Sequence, residues 1–80
     1  MLPRSAVREL ARLPEQQRVC VAGRVVAVET ASFTLQDDTG CVAIEGVAVP
    51  ALGAFVRLVA RRSGPNLGAV ESLEVLSAGS

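Results

Sequence analysis

The feature that most constrains the fold is an apolar run, Val19–Val28, that begins where a helical spacing of apolar residues ends. Valine, cysteine and alanine dominate this run, and its change to a period of two predicts a strand. Gly23 interrupts the run and predicts a bend or a bulge. A long strand that turns in mid-course can take part in both halves of a small closed barrel.

Four shorter apolar segments follow, separated by turn residues. The predicted strands cover 32–36, 41–45, 55–61 and 68–76, with a loop over 46–53. The sequence Asp37-Asp38-Thr39-Gly40 and a Gly-Pro-Asn triplet at 64–66 are typical of turns. Five strands in so short a chain favour closure, because closure removes exposed sheet edges. The prediction is an all-β chain, a five-stranded closed barrel preceded by a short N-terminal helix.

Residues 1–14 show helical spacing. The apolar positions of this segment are Ala6, Val7, Leu10, Ala11 and Leu13. Ser5 is placed to cap the helix, and Pro14 ends it. Arg4, Arg8 and Arg12 recur every four residues and predict a basic stripe for an acidic partner or for phosphates. A solvated helix face is the alternative.

The length and the charge balance limit what this chain can do. Eighty residues enclose one core, so we expect one domain over 1–80, with the helix in 1–14 and the barrel in 18–77. Eight arginines balance eight acidic residues, and the formal net charge is zero. A neutral molecule has no strong overall attraction for polyanions, so any contact with nucleic acid must be local.

Cysteine usage and hydropathy bear on compartment and cofactors. Cys20 and Cys41 are too few for a disulfide framework, and without histidine or a CxxC pair no metal site or other cofactor is expected. Charged residues break the apolar pattern of the N-terminus, and no window approaches the ~20 apolar residues of a membrane span. We expect an intracellular protein of the cytoplasm or nucleus that is neither secreted nor bound to a membrane.

A pattern distributed over the chain resembles a known family. It consists of G-R-V at 23–25, F-x-L-x-D-D-x-G at 33–40 and V-x-I at 42–44. This pattern is similar to that of nucleic-acid-binding OB domains, including small OB subunits of replication protein A or of telomere-capping complexes. The resemblance covers most of the chain and implies a five-stranded Greek-key barrel. It specifies the ligand poorly, since one fold serves many functions.

Alternation assigns the two faces of the strand over 32–36. Phe33 and Leu35 are predicted to face the core, while Thr34 and Gln36 face outward. By the same count the next strand turns Val42 and Ile44 inward and Cys41, Ala43 and Glu45 outward. The face on which OB domains usually lay a nucleic acid would therefore lack an aromatic ring. Phe55, on the more polar side of its strand, is the best candidate for base stacking, with core burial as the alternative.

A second group of arginines forms the best candidate for a positive cluster on the barrel. Arg57, Arg61 and Arg62, with Arg24 across the barrel, are predicted to contact phosphates or bases, because Arg61–Asn66 lies where OB domains have a ligand-clamping loop. Alternatively, Arg61 and Arg62 only solubilise a turn. The candidate nucleic-acid-binding residues are Arg24, Thr34, Gln36, Phe55, Arg57, Arg61 and Arg62, and the candidate partner-binding residues are Arg4, Arg8 and Arg12.

Catalysis finds no support in the sequence. Asp37 and Asp38 are interpreted as turn residues that accept backbone hydrogen bonds. No nucleophile with an adjacent base and no phosphate-binding glycine loop is present. We expect neither an enzyme nor a small-molecule substrate.

Three functions remain open at this point. The leading hypothesis is a small subunit of a single-stranded DNA-binding complex of replication, repair or telomere protection, which contacts a larger OB subunit and binds nucleic acid weakly at most. The second is an autonomous domain that binds single-stranded DNA or RNA, such as tRNA. The third is a homodimeric assembly domain that associates through apolar outer positions at Ala22, Val26 and Val59.

Overall fold

The computed structural model describes residues 4–46 and 49–78. The predicted helix and the loop over 46–53 therefore extend in part beyond the described residues. Strands dominate, and their bounds lie within a few residues of those predicted. The elements are a 3-10 helix Val7–Arg12 and the strands β1 Arg18–Val28, β2 Ser32–Asp37, β3 Gly40–Glu45, β4 Phe55–Ser63 and β5 Asn66–Ser77.

The five strands form a ring in the order β1-β2-β3-β5-β4, in which β4 pairs with β1 again. The first half of β1 pairs with β4 and the second half with β2, so this strand serves both sides of the ring as its length predicted. The parallel pairing of β3 with β5 is the weakest join, because it consists of the single pair Ile44 and Leu67. The arrangement is a five-stranded OB fold.

The bend in β1 lies at a different residue from the one predicted. The register with β2 shifts between Val25 and Ala27, which places a bulge at Val26. Gly23 instead allows two strands to approach closely. A Cβ atom at this position would overlap the carbonyl oxygen of Gln36 and lie 2.9 Å from its carbonyl carbon. Only glycine leaves room for that approach.

The core follows the predicted alternation. Phe33, Leu35, Val42 and Ile44 are buried, which confirms the inward faces of β2 and β3. Aliphatic side chains from the other strands and from Ala54 complete it, together with two residues of the helix. These further core residues are Val7, Leu10, Val19, Val21, Val25, Ala54, Val56, Leu58, Ala60 and Leu67.

The N-terminal helix differs from the prediction in its type and its cap. It is a 3-10 helix of six residues, in which Val7 and Leu10, three apart, share the buried face. Ser5 does not cap it, because the helix begins at Val7 and leaves Ser5 one residue before the N-cap. The backbone N–H of Ser5 donates instead to the carbonyl of Cys20 in β1 at 2.7 Å. The N-cap is Ala6, whose N–H donates to the Glu9 carboxylate at 3.1 Å.

The predicted basic stripe of Arg4, Arg8 and Arg12 is not formed, because the helix is a 3-10 helix and not an α-helix. A 3-10 helix has three residues per turn, so Arg8 and Arg12, four apart, point in different directions. Arg4 lies before the helix in an isolated bridge to Cys20. The three arginines therefore do not share a face.

Candidate nucleic-acid and partner interface

The outer face of β2 and β3 carries the small polar side chains that alternation predicted. Thr34 lies opposite Ala43, and Gln36 lies opposite Cys41. Gln36 is exposed and Thr34 is half-buried. These four side chains include no aromatic ring, so this part of the surface offers hydrogen bonds but no platform for a base.

The cleft between the β1–β2 loop and the start of β5 is acidic. Glu29 and Glu45 line it together with Ser32 and Asn66. Asn66 donates its side-chain N–H to Glu45 at 3.1 Å, and the Ser32 hydroxyl donates to Glu29 at 3.3 Å. These bonds hold two carboxylates in the cleft. Glu45 was predicted to face outward, whereas Glu29 gave no signal in the sequence, because its position depends on how the loop folds.

The arginines of the β4–β5 turn contact carboxylates. Arg62 pairs with Glu15 at 3.1 Å, and the same carboxylate accepts the backbone N–H of Gly64 at 2.9 Å. Arg61 lies 3.3 Å from Glu71 and also donates to the carbonyl of Gln16 at 3.1 Å.

Glu71 is shared by two arginines, because Arg18 approaches it at 3.0 Å. The two acids that matter here, Glu15 and Glu71, were not singled out from the sequence. Glu15 is 47 residues from Arg62, so no local pattern connects them. The positive cluster predicted for the clamping loop is therefore largely balanced by acidic side chains.

Arg24 and Phe55 lie at the other end of β4. They are neighbours across the β1–β4 pair, and the guanidinium of Arg24 lies 6.0 Å from the centroid of the Phe55 ring. Arg24 also donates to the carbonyl of Gly53 at 2.7 Å. Phe55 is half-buried, so neither full burial nor full exposure describes it. The pair forms a cation–π contact at the surface.

The predicted cluster of four arginines is thus split. Phe55 and Arg61 are six residues apart on β4, or roughly 20 Å at the rise of a strand. Arg57, between them, pairs with Glu74 of β5. Arg24 and Phe55 line a cavity of about 510 Å³ with Arg4, Gln36 and three acidic residues, Glu9, Asp37 and Asp38. Positive and negative groups therefore alternate along this surface.

Asp37 accepts the hydrogen bonds predicted for the β2–β3 turn, and it also accepts one from the N-terminal helix. Its carboxylate accepts the hydroxyl and backbone N–H of Thr39 at 2.6 and 2.7 Å and the N–H of Gly40 at 3.1 Å. The N–H of Val7 also donates to it, at 2.9 Å. Burial raises the pKa of Asp37, but these hydrogen bonds outweigh burial and hold the pKa below its ordinary value. An ionised, fully bonded carboxylate of this kind ties the helix to the β2–β3 turn.

Other features bear on the remaining expectations. Ala22 is buried, so it is not an outer position for a homodimer, whereas Val26 is exposed and Val59 is partly buried. Among residues 4–46 and 49–78, no three histidine, cysteine or acidic side chains are grouped to hold a metal ion. No helix within the same ranges is long and apolar enough to cross a membrane.

Comparisons with known proteins find similar solved structures but no similar sequences. No family model matches the sequence, and neither does any curated protein. The crystal structure of the telomere capping protein Ten1 from Saccharomyces pombe matches 94% of this chain and 81% of its own, with a TM-score of 0.80 and 14% sequence identity. A chain of the S. pombe Stn1-Ten1 complex matches 95% of this chain and 77% of its own, with a TM-score of 0.78 and 12% identity.

A bacterial structure is similar as well. The hypothetical protein ygiW from E. coli matches 92% of this chain and 90% of its own, with a TM-score of 0.72 and 14% identity. At these identities the likeness shows the fold alone. The resemblance predicted from the sequence, to small OB proteins of telomere capping, is confirmed at that level.

Proposed function

We propose that this chain is a non-catalytic OB subunit of a single-stranded DNA-binding complex and acts mainly through contacts with a larger OB-fold subunit. One observation carries the proposal. Arg61 and Arg62, at the predicted clamping loop, contact Glu71 and Glu15, while Glu29 and Glu45 line the neighbouring cleft. A surface of this kind repels phosphates as much as it attracts them.

The missing stacking platform supports the same conclusion. Stacking on aromatic side chains is worth ~1–3 kcal/mol per base in proteins that bind single strands. The outer pairs of β2 and β3, among them Thr34 with Ala43, contribute no ring. Phe55, at the start of β4, offers one site at most. The isolated chain therefore binds nucleic acid weakly at most, and most of the affinity of the complex for DNA comes from the larger subunit.

The fold likeness supports the type of partner. One matching chain comes from a complex of Stn1 and Ten1, and Ten1 itself is described as a telomere capping protein. A small OB subunit that joins a larger one fits a chain with zero net charge. Replication, repair and telomere protection are the processes that we propose for such an assembly, and each would place this chain inside the cell.

Fluorescence anisotropy tests the proposal directly. A labelled strand of ~20 nucleotides is titrated with the purified chain at two salt concentrations, since binding through phosphates weakens steeply with salt. We expect no saturable binding at micromolar protein at about 0.15 M salt. Micromolar or tighter binding with a steep salt dependence would overturn the proposal.

The partner requires a second experiment. The tagged chain is crosslinked in its native cells, and the crosslinked protein is purified and reconstituted with it. We expect that protein to contain an OB domain, and we expect the reconstituted complex to bind the labelled strand more tightly than either component alone. A partner whose complex has no affinity for single strands contradicts the proposal.

A second candidate function rests on the contact between Arg24 and Phe55. A guanidinium over an aromatic ring is able to hold one base of a single strand. If the chain binds single strands autonomously, Phe55→Ala and Arg24→Ala should each weaken binding, whereas Leu52→Ala, which removes an exposed side chain, should not. Unchanged affinity in the first two variants rejects this site.

A further inference from the structure

The second half of β5 pairs on one side only. β5 pairs with β4 from Asn66 to Ser77 but with β3 only at Leu67. Within the described parts of the chain, residues 72–77 therefore have a free edge. Such an edge presents a row of backbone N–H and C=O groups able to pair with another strand.

A bulge separates this half of β5 from β3. Val59 lies opposite Ser72 and Arg61 opposite Gly68, so residues 69–71 face Ala60 alone. Ala69 has a φ of 49°, a left-handed conformation that bends the strand. The bend carries residues 72–77 along β4 and away from the end of β3.

The free edge carries few of the features by which natural sheets block pairing. A second register shift against β4, between Val75 and Ser77, places a bulge at Leu76. The segment Ser72–Ser77 contains neither proline nor lysine. Its one charged side chain, Glu74, pairs with Arg57 of β4. Val75 and Leu76 are 51% and 48% exposed, so apolar side chains flank the unpaired backbone. These are the properties of an edge that accepts a strand.

We propose that the edge Ser72–Ser77 pairs antiparallel with the same edge of a second copy of this chain. A two-fold axis relates the two copies, so every contact occurs twice. A pairing centred on Val75 places the two Val75 side chains opposite each other, with one Glu74 on either side of them. The two Glu74 carboxylates are thereby kept apart, and the two Val75 side chains are buried against each other.

Charge favours a second copy as the occupant. The chain has zero net charge, and Glu74 at the edge is balanced by Arg57, so two identical edges do not repel each other. A core enclosed by 80 residues also has little stability to spare, and association would add to it. The contact is small, which makes a weak, concentration-dependent dimer the expected form.

This inference goes beyond the proposed function and does not depend on it. It also differs from the homodimer hypothesis of the sequence, which used Ala22, Val26 and Val59. The dimer surface proposed here consists of backbone groups of β5 that no side-chain pattern in the sequence reveals.

Sedimentation equilibrium over a wide concentration range tests the proposal. We expect the wild-type chain to form dimers as concentration rises. Val75→Lys places two lysines opposite each other and should weaken the dimer at least about tenfold. Leu52→Lys is the matched control, because Leu52 is 60% exposed and lies outside β5. It should leave dimerisation unchanged.

Hydrogen exchange gives a reading on the wild-type chain alone. The amides of Ser72–Ser77 that point away from β4 should exchange rapidly at low concentration and become protected at high concentration. A wild-type chain that stays monomeric at every concentration overturns the proposal, as does a dimer without protection of β5. Neither result bears on DNA binding, so failure here is distinguishable from failure of the proposed function.

Discussion

The carboxylate of Asp37 accepts the backbone N–H of Val7 at 2.9 Å, across 30 residues of sequence. Val7 is the first residue of the 3-10 helix, and its N–H has no partner within the helix. The same carboxylate orders the β2–β3 turn through Thr39 and Gly40. One side chain therefore closes the turn and holds the helix against the ring of strands.

Removing this carboxylate should destabilise the chain. Asp37→Ala leaves the N–H groups of Val7, Thr39 and Gly40 without their acceptor, and we expect a loss of about 1–3 kcal/mol in the free energy of unfolding. In a domain of this size each kcal/mol corresponds to roughly 4–8 °C in melting temperature. Asp38→Ala, at the exposed neighbouring position, is the control and should have little effect in thermal melts.

Asp37 also predicts an acid dependence of stability. Its pKa is lower in the folded chain than its ordinary value, so its ionisation favours folding. This contribution is complete above the unfolded carboxyl pKa of about 4 and is lost as the pH falls through the lower folded pKa. The difference in unfolding free energy between wild type and Asp37→Asn should therefore narrow from about pH 6 to about pH 3. A constant difference in denaturant titrations contradicts this assignment.

The close approach of β1 and β2 predicts a contrast between two glycines. Gly23→Ala places a methyl group against the backbone of Gln36, and we expect a loss of about 1–3 kcal/mol or failure to fold. In Gly68→Ala the new methyl would meet only the Cβ of Ser63, at 4.0 Å. That variant should be neutral or slightly more stable. Similar destabilisation by both variants in urea titrations would contradict the close approach.

The two thiols should differ in reactivity. Cys41 is exposed and Cys20 is buried, and both are free. We expect an aromatic disulfide reagent to modify one thiol rapidly in the native chain and two in denaturant. Cys41→Ser should abolish the rapid modification of the native chain, and Cys20 should then react only slowly or in denaturant. Rapid reaction of both thiols would contradict the burial of Cys20.

The balance of charge at the β4–β5 turn can be shifted by one substitution. Glu71→Gln removes the carboxylate shared by Arg18 and Arg61 and should raise the affinity for a labelled single strand at low salt. Asp38→Asn changes the net charge equally, but within residues 4–46 and 49–78 Asp38 forms no ion pair with an arginine. We expect Asp38→Asn to raise the affinity for the labelled strand, as measured by fluorescence anisotropy, less than Glu71→Gln does. Equal effects would mean that net charge alone governs the weak contact.

Local pattern allowed much of the barrel to be predicted. Side chains alternate across a strand, so the inward positions Phe33, Leu35, Val42 and Ile44 follow from the sequence once a strand is recognised. Turn chemistry likewise marked Asp37 as a backbone acceptor. The glycine at 23 was recognised as special, but its role is close approach rather than a bend, since the bulge lies at Val26.

The candidate site was less accessible to sequence reasoning. Which arginines remain available depends on which acids lie beside them, and Arg62 meets Glu15 only because the segment after the helix returns to the end of β4. Spacing along the chain carries no information about such pairs. The acidic cleft has the same origin, because Glu29 and Glu45 approach Asn66 only in the folded ring.

The sequence by itself determined the strands, their inner and outer faces and the resemblance to OB domains, because each depends on neighbouring residues along one strand or turn. The tertiary structure decided the helix type, the pairing of arginines with carboxylates and the free edge of β5. In the first case the backbone of Ser5 bonds to Cys20 of β1, and the helix is a short 3-10 helix that begins only at Val7. In the other two cases strand register and the path of the segment after the helix decide which residues, far apart in the chain, lie side by side.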